Sequence, residues 1–275
     1  MRIRILLLFL SLCISASAEP ITPRELRVYL PPNYDSTGHY PVLYMHDGQN
    51  LFDTLATHVF EWRIDESLDS MIRAGFIEPL IVVGIPHGAE FRRAEYVPVD
   101  VLDKLDDSVR AEFMQLIVHA PRSREYLDYL IGTVIPSVDS RYATDITRRY
   151  IGGSSTGAIG ALAVALTTPA RFAGVLCFST HWTGLFRQND PIPQAYLNYV
   201  AENLPAPGVL RFYFDHGDEG MDSLYAPHQS RVDSLFHAHG YESTSVRSQS
   251  FPLHTHSEQD WARRFPAALQ WMLKP

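Results

Sequence analysis

Two hydrophobic periods alternate along this chain from residue 24 onward. Short runs of β-branched, aromatic and aliphatic residues give way to longer stretches whose apolar positions recur every three or four residues. The short runs predict strands over 26–30, 42–45, 80–85, 150–152, 174–178, 209–215 and 244–249. The longer stretches predict helices over 62–74, 124–138, 157–168, 227–239 and 258–273. Such alternation builds an α/β fold, a central and mostly parallel sheet with helices on both faces. Segments 86–122 and 182–204 show no clear period and read as loops. Each follows a strand, on the edge of an open α/β sheet where ligands bind.

Composition narrows the picture. The 275 residues are 46% hydrophobic and 20% charged, apolar material for one large core, so a single catalytic domain over 19–275 is expected. A net charge of -8, without a Lys/Arg run beyond the first residues, lacks the footprint of a nucleic-acid binder or a partner of anionic membranes. Twelve histidines are scattered without zinc-ligand spacing, so no metal and no cofactor is expected.

The first eighteen residues read as an export signal that places the protein in the periplasm or outside the cell. Met1-Arg2-Ile3-Arg4 is a basic start, residues 5–14 an apolar stretch, and Ala16-Ser17-Ala18 a small-residue cleavage site. The apolar stretch is too short to span a bilayer, so no stable membrane insertion is expected after signal removal. Cys13 stands at the depth of a lipid-attachment site, but the bulky Leu12 before it fits one badly. Losing the signal leaves Cys177 alone in an apolar run, where a thiol acts as a small hydrophobe.

The sharpest chemical signal is Gly153-Ser154-Ser155-Thr156-Gly157 between a predicted strand and an Ala-rich helix. Glycines two positions either side of Ser155 permit a turn tight enough to expose its hydroxyl as a nucleophile. The Thr156 amide then opens a helix, where its N–H and the helix dipole favour an oxyanion. Ser154 fits a helix-capping role. A serine nucleophile needs a base and an orienting acid, in chain order Ser, acid, His. His256, just before the last helix, is the candidate base and His254 the alternative. The loop after strand 209–215 offers Asp215, Asp218, Glu219 and Asp222. Asp222, deepest in the loop, is the first candidate acid and Glu219 the second; Asp215 and Asp218 fit turn capping. The turn after strand 42–45 contains Gly48, and the amide of Gln49 is the candidate second oxyanion donor. His46 and Asp47 fit local turn hydrogen bonding.

Several stretches together resemble the putative esterase family of α/β-hydrolases, which includes feruloyl and acetyl-xylan esterases, S-formylglutathione hydrolases, enterochelin-type esterases and mycolyltransferases. They are Tyr40-Pro-Val-Leu-Tyr-Met-His-Asp-Gly-Gln-Asn-Leu-Phe-Asp53, Arg92-Arg-Ala-Glu-Tyr96, Ile135-Pro-Ser-Val-Asp-Ser-Arg-Tyr142, Gly152-Gly-Ser-Ser-Thr-Gly157 and His256-Ser-Glu258 with Trp261. The resemblance implies a Ser-Asp-His triad, ester substrates that are small molecules or carbohydrate-linked, and Asp222 as the acid. Thr156 and Ala158 depart from the Met and Gly frequent in the family, as Asp218 does from Thr, which bears on the pocket rather than the triad. The expected activity is that of an exported serine esterase working through an acyl-enzyme. An acyltransferase of the same fold, and a non-catalytic binding protein, are the competing readings.

Overall fold

A computed structural model describes residues 20–52 and 60–274; the expected export signal, 1–18 with Cys13, lies outside them. Seven strands form one sheet: β1 (Arg27–Tyr29), β2 (Tyr40–His46), β3 (Ile81–Ile85), β4 (Thr144–Ser154), β5 (Gly174–Phe178), β6 (Arg211–Gly217) and β7 (Val246–Phe251). Their spatial order is β1-β3-β2-β4-β5-β6-β7. Strand β1 runs antiparallel to β3 and every other neighbouring pair is parallel. The helices are α1 (Ile64–Arg73), α2 (Arg92–Tyr96), α3 (Val99–Leu102), α4 (Asp107–Ile117), α5 (Ser123–Tyr129), α6 (Ile135–Asp139), α7 (Thr156–Thr167), α8 (Pro191–Asn203), α9 (Ala226–Ala238) and α10 (Glu258–Leu273).

Alternation along the strands splits the core in two, because successive side chains point to opposite faces. Val42, Tyr44, Ile151, Val175, Cys177, Phe212 and Phe214 pack against α2 to α9. Leu43, Met45, Tyr150, Leu176, Phe178 and Tyr213 pack against α1 and α10. The central strands are buried on both sides, as the rule for parallel sheets requires. Cys177 is fully buried and burial pushes its thiol up, as expected of a small core hydrophobe.

The elements differ from the sequence expectation where a second signal competes with the apolar pattern. The two segments read as loops hold helices: α2, α3 and α4 in 86–122, and α8 in 182–204. In α8 the buried residues Ile192, Ala195, Tyr196, Tyr199 and Val200 follow a helical period behind Pro191 at the first turn. In α4 the side chain of Asp106 caps the start by accepting from the Val109 amide at 3.0 Å. The expected helix 124–138 is two helices joined by a wide turn, Leu130–Val134. Pro136 lacks the N–H that a continuous helix needs there, and a wider turn absorbs the defect. Strands 209–215 and 244–249 start two residues later than expected, because Val209 is held in a turn by its bond to the Ala206 carbonyl at 3.2 Å and Ser245 by its bond to the Glu242 carbonyl at 2.9 Å.

Candidate active site

All strands from β2 to β7 are parallel, so their carboxyl ends share one edge, and the candidate residues arise in the turns that leave it. The register aligns Ser154 with Phe178, Phe178 with Asp215, and Gly217 with Phe251. Ser155 follows β4, Asp222 lies in a short turn after β6, and His256 follows β7. Three residues far apart in sequence thereby arise on one edge.

Ser155 adopts φ 56° and ψ -126°, a strained conformation for a residue with a Cβ, between β4 and α7. Its N–H is anchored to the Phe178 carbonyl at 2.9 Å and its carbonyl accepts from the Ala158 amide at 3.1 Å. Neither flanking glycine has positive φ. Their role is close approach: a Cβ on Gly153 would stand 2.6 Å from the Gly157 carbonyl oxygen, and one on Gly157 would stand 2.6 Å from Asp47 Oδ2. The glycines therefore let α7 crowd back on β4, and the strain falls on the serine between them.

His256 Nδ1 and Asp222 Oδ1 lie 2.6 Å apart. Asp222 Oδ2 accepts from the Ser179 hydroxyl and the Gly217 amide, each at 2.6 Å, and lies 3.6 Å from the Arg264 guanidinium. Burial opposes ionisation of Asp222, but the bonds from His256, Ser179 and Gly217 outweigh it and hold the carboxyl below its ordinary range. The Trp261 ring stands edge-on to His256 at 5.0 Å, and its N–H donates to the Ser179 hydroxyl at 2.8 Å. Among the described residues, neither the Ser155 hydroxyl nor His256 Nε2 is held by another group.

The alternatives stand elsewhere. Glu219 is exposed at the start of the acid turn and makes no contact with His256. His254 faces Asp260, at 3.6 Å, and its backbone carbonyl ties the turns together by accepting the amides of Asp218 and Glu219 at 3.2 and 3.1 Å. Asp218 bonds across to another turn rather than capping its own, accepting from the Leu253 amide at 2.6 Å. Nor does Asp215 cap its own. It is fully buried, 3.2 Å from Arg264, and burial pushes its carboxyl up to about 7 against the pull of that cation.

Gln49 lies in the turn Gly48–Asn50 that follows β2, and Thr156 opens α7. The expected turn hydrogen bonds of His46 and Asp47 are replaced by a longer-range network. Arg92 donates to both oxygens of Asp47, at 2.7 Å each, and to the Ser154 carbonyl at 3.5 Å. His46 Nδ1 lies 2.8 Å from the Gly157 carbonyl, and its ring stacks on Tyr96 at 4.5 Å. The β2 turn and the elbow are thus clamped together. Burial opposes ionisation of Asp47, but Arg92 holds its carboxyl below the usual range.

Sequence reasoning passed over Ser179, His181, Tyr225 and Arg264, and saw Arg92 and Trp261 only as parts of a motif. A lone arginine in an amphipathic helix announces nothing, whereas Arg264 proves fully buried between two aspartates. His181 is 4% exposed, with Nδ1 2.8 Å from the Tyr225 hydroxyl.

Burial lowers His46 to about 4 and His181 to about 3. A histidine depressed in the folded state adds stability that is complete above its unfolded value of 6.5 and is lost as pH falls through the folded value. Each should cost about 1.4 kcal/mol per pH unit within that window. Denaturant midpoints should therefore fall steeply from pH 6.5 to pH 4, and His46→Gln should flatten the slope. An equally steep curve for the variant would remove His46 from the account.

This frame is that of an α/β-hydrolase, with a strained serine at the strand-to-helix turn and a His–Asp pair on the same sheet edge. Residues 17–272 match the family described as Putative esterase, and the chain belongs to that family. No curated protein matches the chain in sequence. Among solved structures it is similar to an enterobactin esterase from Shigella flexneri, with a TM-score of 0.61 and 17% identity over 90% of this chain and 54% of that one. The chain thus spans about half the length of that relative. It is also similar to the feruloyl esterase module of Clostridium thermocellum solved with sinapinate, with a TM-score of 0.63 and 20% identity over 90% of this chain and 82% of that one. A third is an IroE-like serine hydrolase from Shewanella oneidensis, with a TM-score of 0.65 and 16% identity over 90% and 75% of the two chains. At these identities the likeness is one of fold.

Proposed function

We propose that the protein is an exported esterase that cleaves a carboxylic ester on a triad of Ser155, His256 and Asp222. The observation that carries the reading is the strained Ser155, φ 56°, on the same edge as a His256–Asp222 pair 2.6 Å apart. The Ser155 hydroxyl attacks the ester carbonyl as His256 Nε2 takes its proton. Amides of Thr156 and Gln49 receive the oxyanion. The same proton passes from His256 to the departing alcohol, and water then repeats the sequence to release the acid. Asp222 keeps the Nδ1 proton of His256 in place and stabilises the imidazolium. Export rests on the basic start, the apolar stretch and Ala16-Ser17-Ala18. Among the described residues no helix is long and apolar enough to cross a membrane.

A fluorophosphonate probe tests both parts at once. The protein recovered from outside the cytoplasm should carry one adduct, on the peptide holding Ser155, and its mass should correspond to a chain beginning at Glu19. Ser155→Ala should stay unlabelled. Equal labelling of that variant removes Ser155 as nucleophile, and a mass that retains residues 1–18 removes export.

A further inference from the structure

A line of contacts beside the triad takes no part in these steps. The Tyr225 ring lies 5.8 Å from the His256 ring, and the Tyr225 hydroxyl 2.8 Å from His181 Nδ1. The His181 ring is 5.8 Å from Phe186, and the Arg93 guanidinium stands over Phe186, 5.5 Å from its centroid. His181 is anchored at the elbow, its amide donating to the Ser155 carbonyl at 3.4 Å. The line therefore runs outward from the reacting centre to segments 86–122 and 182–204. Its outer end is a cation against an aromatic ring that is 59% exposed.

Other arginines of this region are matched. Arg92 is paired with Asp47, Arg187 with Glu112, and Arg264 with Asp215 and Asp222. Arg93 is half-buried, and among the described residues it has no carboxylate within ion-pair distance; Nη1 donates to the Leu116 carbonyl at 3.1 Å. Burial, together with the charge of Arg92, lowers its pKa, as befits a cation without its anion. A partly desolvated guanidinium gains most from an anion that meets its planar fork, and the Phe186 face offers apolar area next to it.

We infer that the site takes esters that carry a carboxylate, with Arg93 receiving the carboxylate and Phe186 the carbon skeleton joining it to the ester. This rests on the esterase reading. It restricts the substrate to acidic esters, and leaves the carboxylate free to sit on the acyl or the alcohol side.

Two substrate pairs test it. p-Nitrophenyl hemiglutarate against p-nitrophenyl valerate places the charge on the acyl side, and 4-acetoxybenzoate against phenyl acetate places it on the alcohol side. In at least one pair the ratio of kcat/KM, acidic over neutral, should fall about tenfold in Arg93→Met, the loss of one charge-assisted contact. Arg93→Lys should restore most of it. A purely structural role for Arg93 would lower both members of a pair together. The wild-type ratio should also fall as sodium chloride is raised, a reading of charge that needs no substitution. Ratios unchanged within about twofold in Arg93→Met, or flat against salt where that variant does not fold, overturn the inference while Ser155-dependent turnover keeps the esterase reading. A wild type inert to all four esters and to the fluorophosphonate overturns both.

Discussion

Asp222→Asn should lower kcat for p-nitrophenyl acetate by on the order of 10⁴ while leaving the fold intact. The side chain keeps its shape, so the bonds from Ser179 and Gly217, each at 2.6 Å to Oδ2, retain an acceptor if the amide oxygen takes that position. The amide nitrogen then faces His256 Nδ1 and donates to it. That bond fixes the wrong tautomer, with the proton on Nε2, where Ser155 needs an acceptor. It also leaves the imidazolium without its carboxylate. Glu219→Gln serves as the control, because Glu219 is exposed and makes no contact with His256. Stopped assays under saturating ester, with circular dichroism for the fold, give the comparison. A loss in Glu219→Gln as large as that in Asp222→Asn would mean the acid has been misassigned.

Arg264→Met should cost about 3–5 kcal/mol of stability, the range for breaking a buried charge pair by removing one partner. Arg264 is 1% exposed, 3.2 Å from Asp215 and 3.6 Å from Asp222, and donates to the Ser179 hydroxyl at 3.0 Å. The two aspartates respond differently to its loss. Asp215, already pushed up to about 7 by burial, escapes by binding a proton. Asp222 can do so only by surrendering its hold on His256. The variant should therefore lose activity as well as about 6–20 °C of melting temperature in a domain of this size. Adding Asp215→Asn to Arg264→Met removes the cost of protonating that buried carboxyl and should recover part of the stability but little of the activity. A melting point for Arg264→Met within about 2 °C of wild type would show that the pair is not carrying charge in the native state.

The candidate acid, base and nucleophile were legible to different degrees. Ser155 was legible because an elbow is a local device, glycines two residues either side between a strand and a helix. His256 was legible by position, in the turn before an evident last helix. Four carboxylates within eight residues of loop were not separable by residue chemistry, since all could serve as acid or as turn cap. The backbone gives them different surroundings. Two amides at the end of β6 bind the His254 carbonyl, which turns Glu219 to solvent and Asp222 inward. The helix α4 was hidden because only Phe113 and Ile117 mark its buried face, and α8 because Pro191 and Pro193 at its start read as breakers.

Local order therefore lies in the sequence itself: an alternating α/β pattern, a sheet buried on both faces, a strained serine turn, and partners in the order Ser, acid, His. Those features depend on neighbours within a few positions, and periodicity and glycine placement record them directly. The Asp47–Arg92 clamp, the burial of Arg264 between Asp215 and Asp222, and the line from His256 to Arg93 belong to the tertiary structure. Each joins side chains from elements that follow one another only at a distance along the chain. Only the strand order and register bring those elements within bonding distance, and only burial makes their charges strong enough to matter.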